Sequence, residues 1–380
     1  MRPLEGILVL EFAQFMAGPS AGLKLADLGA RVIKIERPNT GEAGRQIALK
    51  NLFLDDSSLV FHTVNRNKDS YAANLKDPED LERVKKLISQ ADVMTHNFRP
   101  GVMEKIGLDF NTIQNINPKL IYGTVTGYGT EGPWAAKPGQ DLLIQAMSGF
   151  TNLTGNKDDD PTPVGAAVSD IITGTHLAHG ILASLVKREK TNKGALVEVS
   201  LLESTLDLQF EVITTYLNDG NKRPVRAKQG AANPYLGAPY GIYKTKDKYI
   251  ALAMGSLLKL GKIINCEEIE NYYDTDSWFT KRDEIMDILR AVLIKETTKH
   301  WLNLLRPEGI WCSDVFDYKT LLEHDAYKVL QMDQKLPLLS GEVVHTIRCP
   351  IRVNDERIFA SKPAPRVGQH TEDIINEFNL

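Results

Sequence analysis

Short apolar runs alternate with amphipathic stretches through the first half of the chain. Residues 6–12 form an apolar run of strand length, as expected for a strand buried on both faces of a parallel sheet. A turn at 17–22 leads into an amphipathic stretch that ends at Gly29, and residues 30–36 form a second apolar run. This order predicts a βαβ unit.

The alternation continues beyond this first unit. Residues 78–90 have a helical pattern and precede an apolar run at 91–96, and further strand-like runs lie at 119–126 and 196–200. An apolar stripe at helical spacing extends over about 170–187. Strands and helices in this order predict an α/β fold with a doubly wound, mostly parallel, Rossmann-like sheet, which binds ligands at the carboxyl ends of its strands.

The composition changes at about residues 218–239, where Gly, Pro, Asn, Lys and Arg dominate as in a linker. A hairpin-like pair of strands follows at 241–253, and charged helical stretches lie within 283–305. These features predict a smaller α+β domain inserted into the large one. The predicted division is a large, ligand-binding domain of residues 1–220 and 325–380 and a small domain with linkers of residues 221–324.

Composition and charge narrow the function classes. Of the 380 residues, 42% are apolar and 25% are charged, which is typical of a globular protein and not of a disordered chain. The 45 Lys and Arg residues nearly balance the 49 Asp and Glu residues, so we expect no general nucleic-acid surface, although a local basic pocket is compatible with this balance. No apolar run approaches the ~20 residues of a bilayer span, and Glu5 stands where a signal peptide is apolar, so we expect a cytoplasmic protein without membrane contact.

Neither the cysteines nor the histidines form a metal-binding pattern. Cys266, Cys312 and Cys349 are odd in number and widely spaced, as reduced thiols are. His176 and His179 stand at helical spacing without a third ligand nearby in the sequence. We therefore predict no metal site.

Three glycine-containing segments match nucleotide-binding motifs only in part. Gly18–Gly22 with Glu36 has the wrong spacing for the dinucleotide fingerprint, and Pro19 interrupts it. Residues 127–132 match Gly-x-Gly-x-x-Gly, but a proline follows where a helix should begin, so we predict a glycine-rich loop close to a ligand. Residues 255–262 lack the Ser or Thr of a Walker A loop, which argues against ATP dependence.

Asp170 follows a run of small residues at 164–169 and stands at the start of the long apolar-striped helix. Two interpretations stay open at this point. As a helix N-cap, its side chain would accept hydrogen bonds from the first turn. As a nucleophile, its carboxylate would be kept ionised by the helix N-terminus, and the small residues around it would let a ligand come close.

Eight segments, in order along the chain, resemble the class III CoA-transferases. This family contains formyl-CoA and carnitine CoA-transferases and also α-methylacyl-CoA racemases. The resemblance covers nearly the whole chain and implies an interlocked homodimer. It rests on residues 4–6, 17–19, 28–38, 65–68, 97–101, 127–133, Asp170 with 173–174, and 365–371.

By this resemblance, Asp170 matches the catalytic aspartate of the family. The implied reaction moves CoA from an acyl-CoA to a small carboxylic acid through mixed anhydrides and an aspartyl-CoA thioester, with CoA as substrate and no permanently bound cofactor. Backbone N–H groups near Ala17 and in the loop 229–232 are implied to stabilise the oxyanions. An interdomain linker is an equally good interpretation of that loop.

The resemblance also implies the contacts with CoA, position by position. Basic side chains are expected at the adenine and the phosphates, where a planar guanidinium fits well. The implied set is Met16 and Ala17 beside the reacting acyl group; Arg37, Ala73, Asn74, Leu75 and Lys76 along the nucleotide; Asn97, Phe98, Arg99 and Lys105 along the pantetheine and phosphates; and Lys137, Gly139, Gln140 and Asp141 beside the thioester.

Departures from the family pattern favour one activity over another. Gln140 stands where the racemases have an acid/base His, and it cannot take a proton, so racemisation is disfavoured. Met16 and Gly230–Ala232 replace a Gln and a run of four glycines of the formyl-CoA transferases, which makes oxalate a doubtful acceptor and favours a bulkier or less polar acid. An acyl-CoA racemase or epimerase, and a non-catalytic CoA-binding subunit of a heteromer, stay as alternatives.

Overall fold

The structure of the chain is a computed structural model that describes residues 1–380. The strands, β1 to β15 in chain order, are Leu8–Glu11, Arg31–Glu36, Phe53–Leu54, Ser57–Ser58, Lys68–Ala72, Val93–His96, Ile121–Thr126, Ala195–Ser200, Gly241–Lys244, Tyr249–Leu252, Cys312–Asp314, Asp333–Pro337, Val343–Ile347, Arg352–Val353 and Glu356–Arg357. The α-helices, α1 to α17, are Ala17–Asp27, Leu59–Asn65, Pro78–Ser89, Val102–Lys105, Phe110–Ile116, Asp141–Met147, Val168–Thr191, Leu201–Leu208, Phe210–Asn218, Leu257–Ile263, Glu267–Glu270, Ser277–Thr280, Arg282–Leu293, Thr298–Leu305, Tyr318–Glu323, Asp325–Leu330 and Thr371–Phe378.

The central sheet confirms the predicted α/β fold. It has six strands, all parallel, in the order β5-β2-β1-β6-β7-β8. The chain adds β2 and β5 on one side of β1 and then β6, β7 and β8 on the other, so the order reverses between β1 and β6. Such a switch point leaves a crevice at the carboxyl ends of the two strands, where doubly wound sheets bind ligands.

Helices cover both faces of this sheet because alternate strand residues point to opposite sides. On one face, Leu10 and Met94 belong to a buried cluster with side chains of α3, α5 and α17. On the other face, Val9 and Val93 belong to a second cluster with side chains of α1 and α7. The central strand β1 therefore supports α1 and α7 together on one face.

The C-terminal segment covers the edge strand β5. The backbone N–H of Ser70 donates to Nδ1 of His370 at 3.1 Å, and its C=O accepts from the N–H of His370 at 3.0 Å. The Ser70 hydroxyl also accepts from the N–H of Gly368 at 2.8 Å. These bonds satisfy backbone groups that an edge strand leaves open.

The chain divides into two compact units. The first unit, which contains the parallel sheet, starts with the N-terminal 144 residues. In full, the first unit is Met1–Ile144, Ala166–Leu208 and Leu330–Leu380, and the second unit is Gln145–Gly165 and Gln209–Val329.

These bounds differ from the predicted large domain of 1–220 and 325–380. The main difference is the segment Gln145–Gly165, which the prediction gave to the large domain and which belongs to the second unit. Hydrogen bonds explain this: the N–H of Lys157 donates to the C=O of Ala227 at 2.8 Å. A boundary drawn from composition alone missed a segment tied to residues far along the chain.

The second unit has an α+β core. Strands β9 and β10 form the hairpin predicted at 241–253, and β11, which the sequence pattern did not predict, adds a third antiparallel strand beside β10. Helices α13 and α14 occupy the region predicted to be helical, and Leu289 and Trp301 pack from them against Tyr243 of the sheet. The sheet and these helices share one hydrophobic core.

Other features of the chain bear on its chemistry. None of the helices is both long enough and apolar enough to cross a membrane. Cys266, Cys312 and Cys349 form no disulfide. No three His, Cys, Asp or Glu side chains gather so that they could hold a metal ion.

Candidate active site

Asp170 lies in the first turn of α7, which begins at Val168 with Ala167 as its N-cap. The N-cap interpretation of Asp170 is therefore wrong, because Asp170 is the third residue of the helix. The capping acceptor comes instead from α6: Oδ1 of Asp141 accepts from the N–H of Ser169 at 2.8 Å and from that of Asp170 at 3.3 Å. Asp141 thus bonds N–H groups that a first turn leaves without intrahelical partners.

The side chain of Asp170 is half-buried and forms no hydrogen bond or ion pair within the chain. Burial, and after it the negative charge of Asp141, raise the pKa of Asp170 to about 7. This corrects the expectation that the helix N-terminus keeps the carboxylate ionised, since burial outweighs that effect. The group gains and loses its proton near neutral pH, and its oxygens are available to a ligand.

Helices α1 and α7 touch at Gly174, one turn after Asp170 on the same helix face. A Cβ on Gly174 would lie 1.9 Å from the hydroxyl oxygen of Ser20 and 2.6 Å from the carbonyl oxygen of Ala17. Only a residue without a side chain permits this approach. The contact brings the start of α1, with Met16 and Ala17, beside the turn that carries Asp170.

Gly174→Ala is expected to lower the free energy of unfolding by about 2 kcal/mol, because the added methyl group forces α1 and α7 apart. Urea unfolding followed by circular dichroism measures this change. Gly255→Ala is the matched control, since a Cβ there meets nothing within 4 Å. Equal stability of the two variants would contradict the predicted contact.

The glycine-rich loop after β7 positions Asp141. A Cβ on Gly139 would lie 2.5 Å from Cα of Gly127, so the two backbones touch. Gly129 and Gly132 have φ angles of 88° and 79°, and no helix begins among them, which confirms the loop predicted there. Because α6 begins two residues after Gly139, this contact fixes the start of α6 at the end of β7.

The other predicted CoA contacts follow the carboxyl ends of neighbouring strands. Met16–Ala17 lie after β1, Arg37 after β2, 73–76 after β5, 97–99 after β6 and 137–141 after β7. Because β5, β2, β1, β6 and β7 are consecutive in the sheet, these segments lie in one row of about 19 Å along its carboxyl edge. The row suits an elongated ligand.

Asn97 and Phe98, which follow β6, form hydrogen bonds with other residues of the chain. Oδ1 of Asn97 accepts from the N–H of Gln14 at 2.8 Å, and its Nδ2 donates to the C=O of Gln14 at 2.7 Å, which fastens the β1–α1 loop to β6. The N–H of Phe98 donates to Nδ1 of His96 at 3.3 Å. Burial lowers the pKa of His96 to about 4, so this acceptor is neutral at pH 7.

The remaining members differ in exposure. Ala73 is buried, Leu75 is half-buried, and Asn74 and Gln140 are exposed. Five basic side chains are exposed and form no ion pair within the chain, namely Arg37, Lys76, Arg99, Lys105 and Lys137. The positive charge that a phosphate-bearing ligand needs is therefore present along the row without an ion-pair partner in the chain.

The loop 229–232 lies in the second unit. The N–H of Gly230 donates to Oδ1 of Asn156 at 3.0 Å, and its C=O accepts from the N–H of Ile242 at 2.8 Å. Gly230 has a φ angle of 76°, which favours glycine. Its role as an oxyanion donor stays a prediction.

Comparison with known proteins identifies the family of the chain. The sequence profile of CoA-transferase family III matches residues 4–371. The chain belongs to CoA-transferase family III. This CoA-transferase is 35% identical over 390 residues to the succinyl-CoA:glutarate CoA-transferase of Mus musculus, covering 99% of this chain and 86% of that protein. It is 30% identical over 385 residues to the succinate–glutarate CoA-transferase of Agrobacterium fabrum, covering 99% of this chain and 95% of that protein.

A solved structure agrees with this assignment. The crystal structure of a CAIB/BAIF family protein from Brucella suis has a TM-score of 0.84 and 30% identity to this CoA-transferase, and the match covers 99% of both chains. The resemblance inferred from eight sequence segments is confirmed. The chain is an enzyme of the CoA-transferase type, whose substrates are CoA thioesters.

One feature of this CoA-transferase that sequence analysis missed is a fully buried ion cluster beneath α1, formed by Glu11, Lys34 and Lys68. Nζ of Lys68 lies 2.8 Å from both carboxylate oxygens of Glu11, and Nζ of Lys34 lies 3.1 Å from one of them. The signal was present: Lys34 interrupts an apolar strand run, and a charge at a buried strand position requires a partner.

Burial and neighbouring charges act in opposite directions on the two lysines of the buried ion cluster. Burial lowers the pKa of Lys68 to about 8, although the charge of Glu11 opposes this. Burial also acts to lower the pKa of Lys34, but the charges of Glu42, Glu11 and Glu36 outweigh it and hold that pKa above its usual value. Lys34 is therefore the firmly charged member of the cluster.

Proposed function

We propose that the enzyme moves CoA between an acyl-CoA and a free carboxylic acid with Asp170 as the covalent nucleophile. The observation that carries this proposal is the half-buried carboxyl group of Asp170, which has no partner within the chain and a pKa of about 7. A carboxylate that ionises near neutral pH and lacks an internal partner is available for attack on a thioester.

The proposed reaction has four steps, each of which exchanges one acyl bond for another. The Asp170 carboxylate attacks the thioester carbonyl, and the C–S bond breaks to give an acyl-aspartyl anhydride and the CoA thiolate. The thiolate attacks the aspartyl carbonyl, and the donor acid leaves as its carboxylate. The acceptor carboxylate then attacks the aspartyl-CoA thioester and expels the thiolate. Finally, the thiolate attacks the acceptor carbonyl of the second anhydride, which gives the new acyl-CoA and the free Asp170 carboxylate.

Each of these steps places negative charge on a carbonyl oxygen. The first-turn N–H groups of α1, around Ala17, lie at a helix N-terminus and have no intrahelical partners, so they suit an oxyanion. The contact of Gly174 with Ala17 supports this role, because it holds that turn beside the turn of Asp170. The loop 229–232 is the second proposed donor.

CoA itself is proposed to lie along the carboxyl edge of the sheet. Arg37 and Ala73–Lys76 would contact the nucleotide at the β5 and β2 end, while Asn97–Arg99 and Lys105 would contact the diphosphate and pantetheine. The thioester would then reach Gly139–Asp141 at the β7 end, beside Asp170. The order in which the resemblance assigns these segments to the nucleotide, the pantetheine and the thioester supports this direction, and the exposed basic side chains supply positive charge for the phosphates.

For the acids, we propose succinyl-CoA as donor and a five-carbon dicarboxylate such as glutarate as acceptor. Relatives from Mus musculus and Agrobacterium fabrum carry names with these acids and match 99% of this chain. The side chain of Met16, at the start of α1, is compatible with an acid longer than oxalate. Initial rates over a panel of mono- and dicarboxylates identify the acceptor.

A trapping experiment tests the proposal against its alternatives. Hydroxylamine added with acyl-CoA is expected to convert Asp170 into a hydroxamate, which mass spectrometry of the peptide detects. Transfer of labelled CoA to the acceptor should appear in parallel. Solvent deuterium at the acyl α-carbon without CoA exchange would instead indicate a racemase, and CoA binding with neither activity would indicate a non-catalytic subunit.

The pH dependence follows from the environment of Asp170. Because its pKa is raised to about 7 and the ionised form attacks, kcat/KM for acyl-CoA is expected to rise with pH through a midpoint near 7. Asp141→Asn keeps an acceptor for the first turn of α7 but removes a negative charge, so the midpoint is expected to move below 7. The exposed Asp158→Asn is the control. An unchanged midpoint in Asp141→Asn would exclude a direct effect of the Asp141 charge.

We further propose that the protein forms the interlocked homodimer that the family resemblance implies. Helix α9 has no buried residue although its sequence is largely apolar, and Phe210 and Leu217 are 67% and 64% exposed. Light scattering is expected to give twice the mass of the chain, and the pair Phe210→Glu with Leu217→Glu is expected to give single chains. Tyr273→Glu, on a side chain exposed elsewhere, should leave the dimer intact. A wild-type mass of one chain at micromolar concentration would refute the dimer.

A further inference from the structure

The loop between β1 and α1 comprises residues 12–16, and side chains from other parts of the chain hold residues 13–15. The C=O of Ala13 accepts from Nζ of Lys34 at 2.7 Å. The N–H of Phe15 donates to Oε2 of Glu42 at 2.8 Å. With the two bonds between Asn97 and Gln14 described above, consecutive main-chain groups of the loop are each fixed by a side chain distant in sequence.

Two of these side chains also hold each other. Oε1 of Glu42 lies 3.1 Å from Nζ of Lys34, and both side chains are buried. Nζ of Lys34 is in turn 3.1 Å from Glu11 of the buried ion cluster. Glu42 and Lys34 therefore cannot move independently. A shift of either side chain would disturb both the bond to Ala13 and the bond to Phe15.

The loop needs such support because Phe15 has a φ angle of 67°. A side chain other than glycine is costly in this left-handed region, and such a residue persists there only where its surroundings fix it. Burial of the ring does not supply the compensation, since Phe15 is 45% exposed. The hydrogen bonds to the main chain of the loop compensate for the cost of the left-handed conformation at Phe15.

The left-handed turn at Phe15 sets where α1 begins. Met16 and Ala17 follow it directly, and Ala17 contacts Gly174, one turn from Asp170. If Phe15 left the left-handed conformation, the chain after it would take another direction, and the first-turn N–H groups of α1 would shift. Misplacement by about 1 Å at a reacting centre costs on the order of 100-fold in rate.

We propose that Glu42 and Lys34 are positioning residues that hold Phe15 in the left-handed conformation, so that α1 begins beside Asp170 and presents its N–H groups to the reacting carbonyl. This inference rests on the proposed function of Asp170. It assigns to two buried charges a role in the rate of transfer, beyond the stability that a buried ion pair gives the fold. Both side chains are buried, so their proposed role acts through the loop and not through contact with a substrate.

The test is a double-mutant cycle of Glu42→Ala and Phe15→Gly. Glu42→Ala is expected to lower kcat of CoA transfer about 30- to 100-fold while KM for acyl-CoA stays within about threefold. Phe15→Gly in that background is expected to recover at least about tenfold, because glycine takes the left-handed conformation without the anchor. If the two substitutions change kcat by independent factors, so that Phe15→Gly restores no activity to Glu42→Ala, the inference is overturned. A role of Glu42 in stability alone gives no reason for Phe15→Gly to restore kcat.

Further controls keep the outcomes distinct. Glu79→Ala removes a surface partner of Arg83 and should leave kcat unchanged. Glu42→Gln, a milder change, is expected to show a smaller loss with the same rescue if Glu42→Ala fails to fold. Hydrogen exchange of the peptide 13–18 is expected to speed up in either Glu42 variant, and unchanged exchange would overturn the inference whatever the activity. Absence of the hydroxamate in wild type would instead refute the role of Asp170.

Discussion

An Asp170→Asn enzyme is expected to transfer CoA at least about 10⁴-fold more slowly than the wild type, because an amide cannot attack the thioester to form the first anhydride. Its affinity for CoA should change little, since the proposed CoA contacts lie on other segments. A coupled assay of acyl-CoA exchange measures the rate, and calorimetry measures CoA binding. Asp158→Asn, in an exposed position, is the control.

The same variant has an expected effect on stability with a defined sign. The raised pKa means that folded Asp170 holds its proton up to about pH 7, whereas the unfolded side chain releases it near its ordinary value of 3.8. Folding stability from this group is therefore present at low pH and is lost as pH rises to 7. Asp170→Asn should thus become more stable than the wild type between pH 4 and 7 and keep that advantage above 7. A transfer rate reduced by much less than about 10⁴-fold, or a stability advantage only at low pH, would contradict this account.

Removal of the central charge of the buried ion cluster is expected to have the largest effect on stability. Glu11→Gln leaves Lys34 and Lys68 buried without their shared carboxylate, and breaking a buried ion pair in this way costs about 3–5 kcal/mol. Equilibrium urea unfolding measured by circular dichroism gives this change. The expected result is a midpoint well below that of the wild type.

An exposed ion pair provides the control for Glu11→Gln. Glu79 pairs with Arg83 on α3, and the Glu79 side chain is 76% exposed. Glu79→Gln is expected to cost no more than about 1 kcal/mol. If Glu11→Gln and Glu79→Gln lower the free energy of unfolding by the same amount, the buried carboxylate of Glu11 contributes no more to stability than an exposed one, and the prediction is wrong.

The parallel sheet was predictable because its central strands are short apolar runs. Strands β1 and β6 are buried on both faces, and each begins with apolar residues, so the start of each strand shows in the sequence although both end in buried polar residues. The family resemblance implied the individual CoA contacts, and their placement in one row follows from the sheet, since parallel strands place the residues after them at one edge. The position of these segments at one edge was therefore predictable once the strands were found, and their role in binding CoA stays a prediction.

Strand β5 was not predictable in this way. Its sequence, Lys68–Ala72, is polar, yet four of its five residues are buried, because Glu11 and the C-terminal segment supply partners for them. No pattern within five residues contains partners that lie elsewhere in the chain. The same reason explains Asp170: its raised pKa depends first on burial and then on the charge of Asp141, and Asp141 reaches the first turn of α7 from another element.

The bonds that cover β5 have a consequence for the order in which the enzyme is made. Gly368 and Ser70 are 298 residues apart, so a ribosome synthesises β5 long before the segment that protects its edge. Until then the strand exposes unpaired backbone groups to other chains. The nascent chain therefore depends on its C-terminal residues to close the nucleotide end of the proposed CoA row, and a prematurely terminated product would carry an open, aggregation-prone edge.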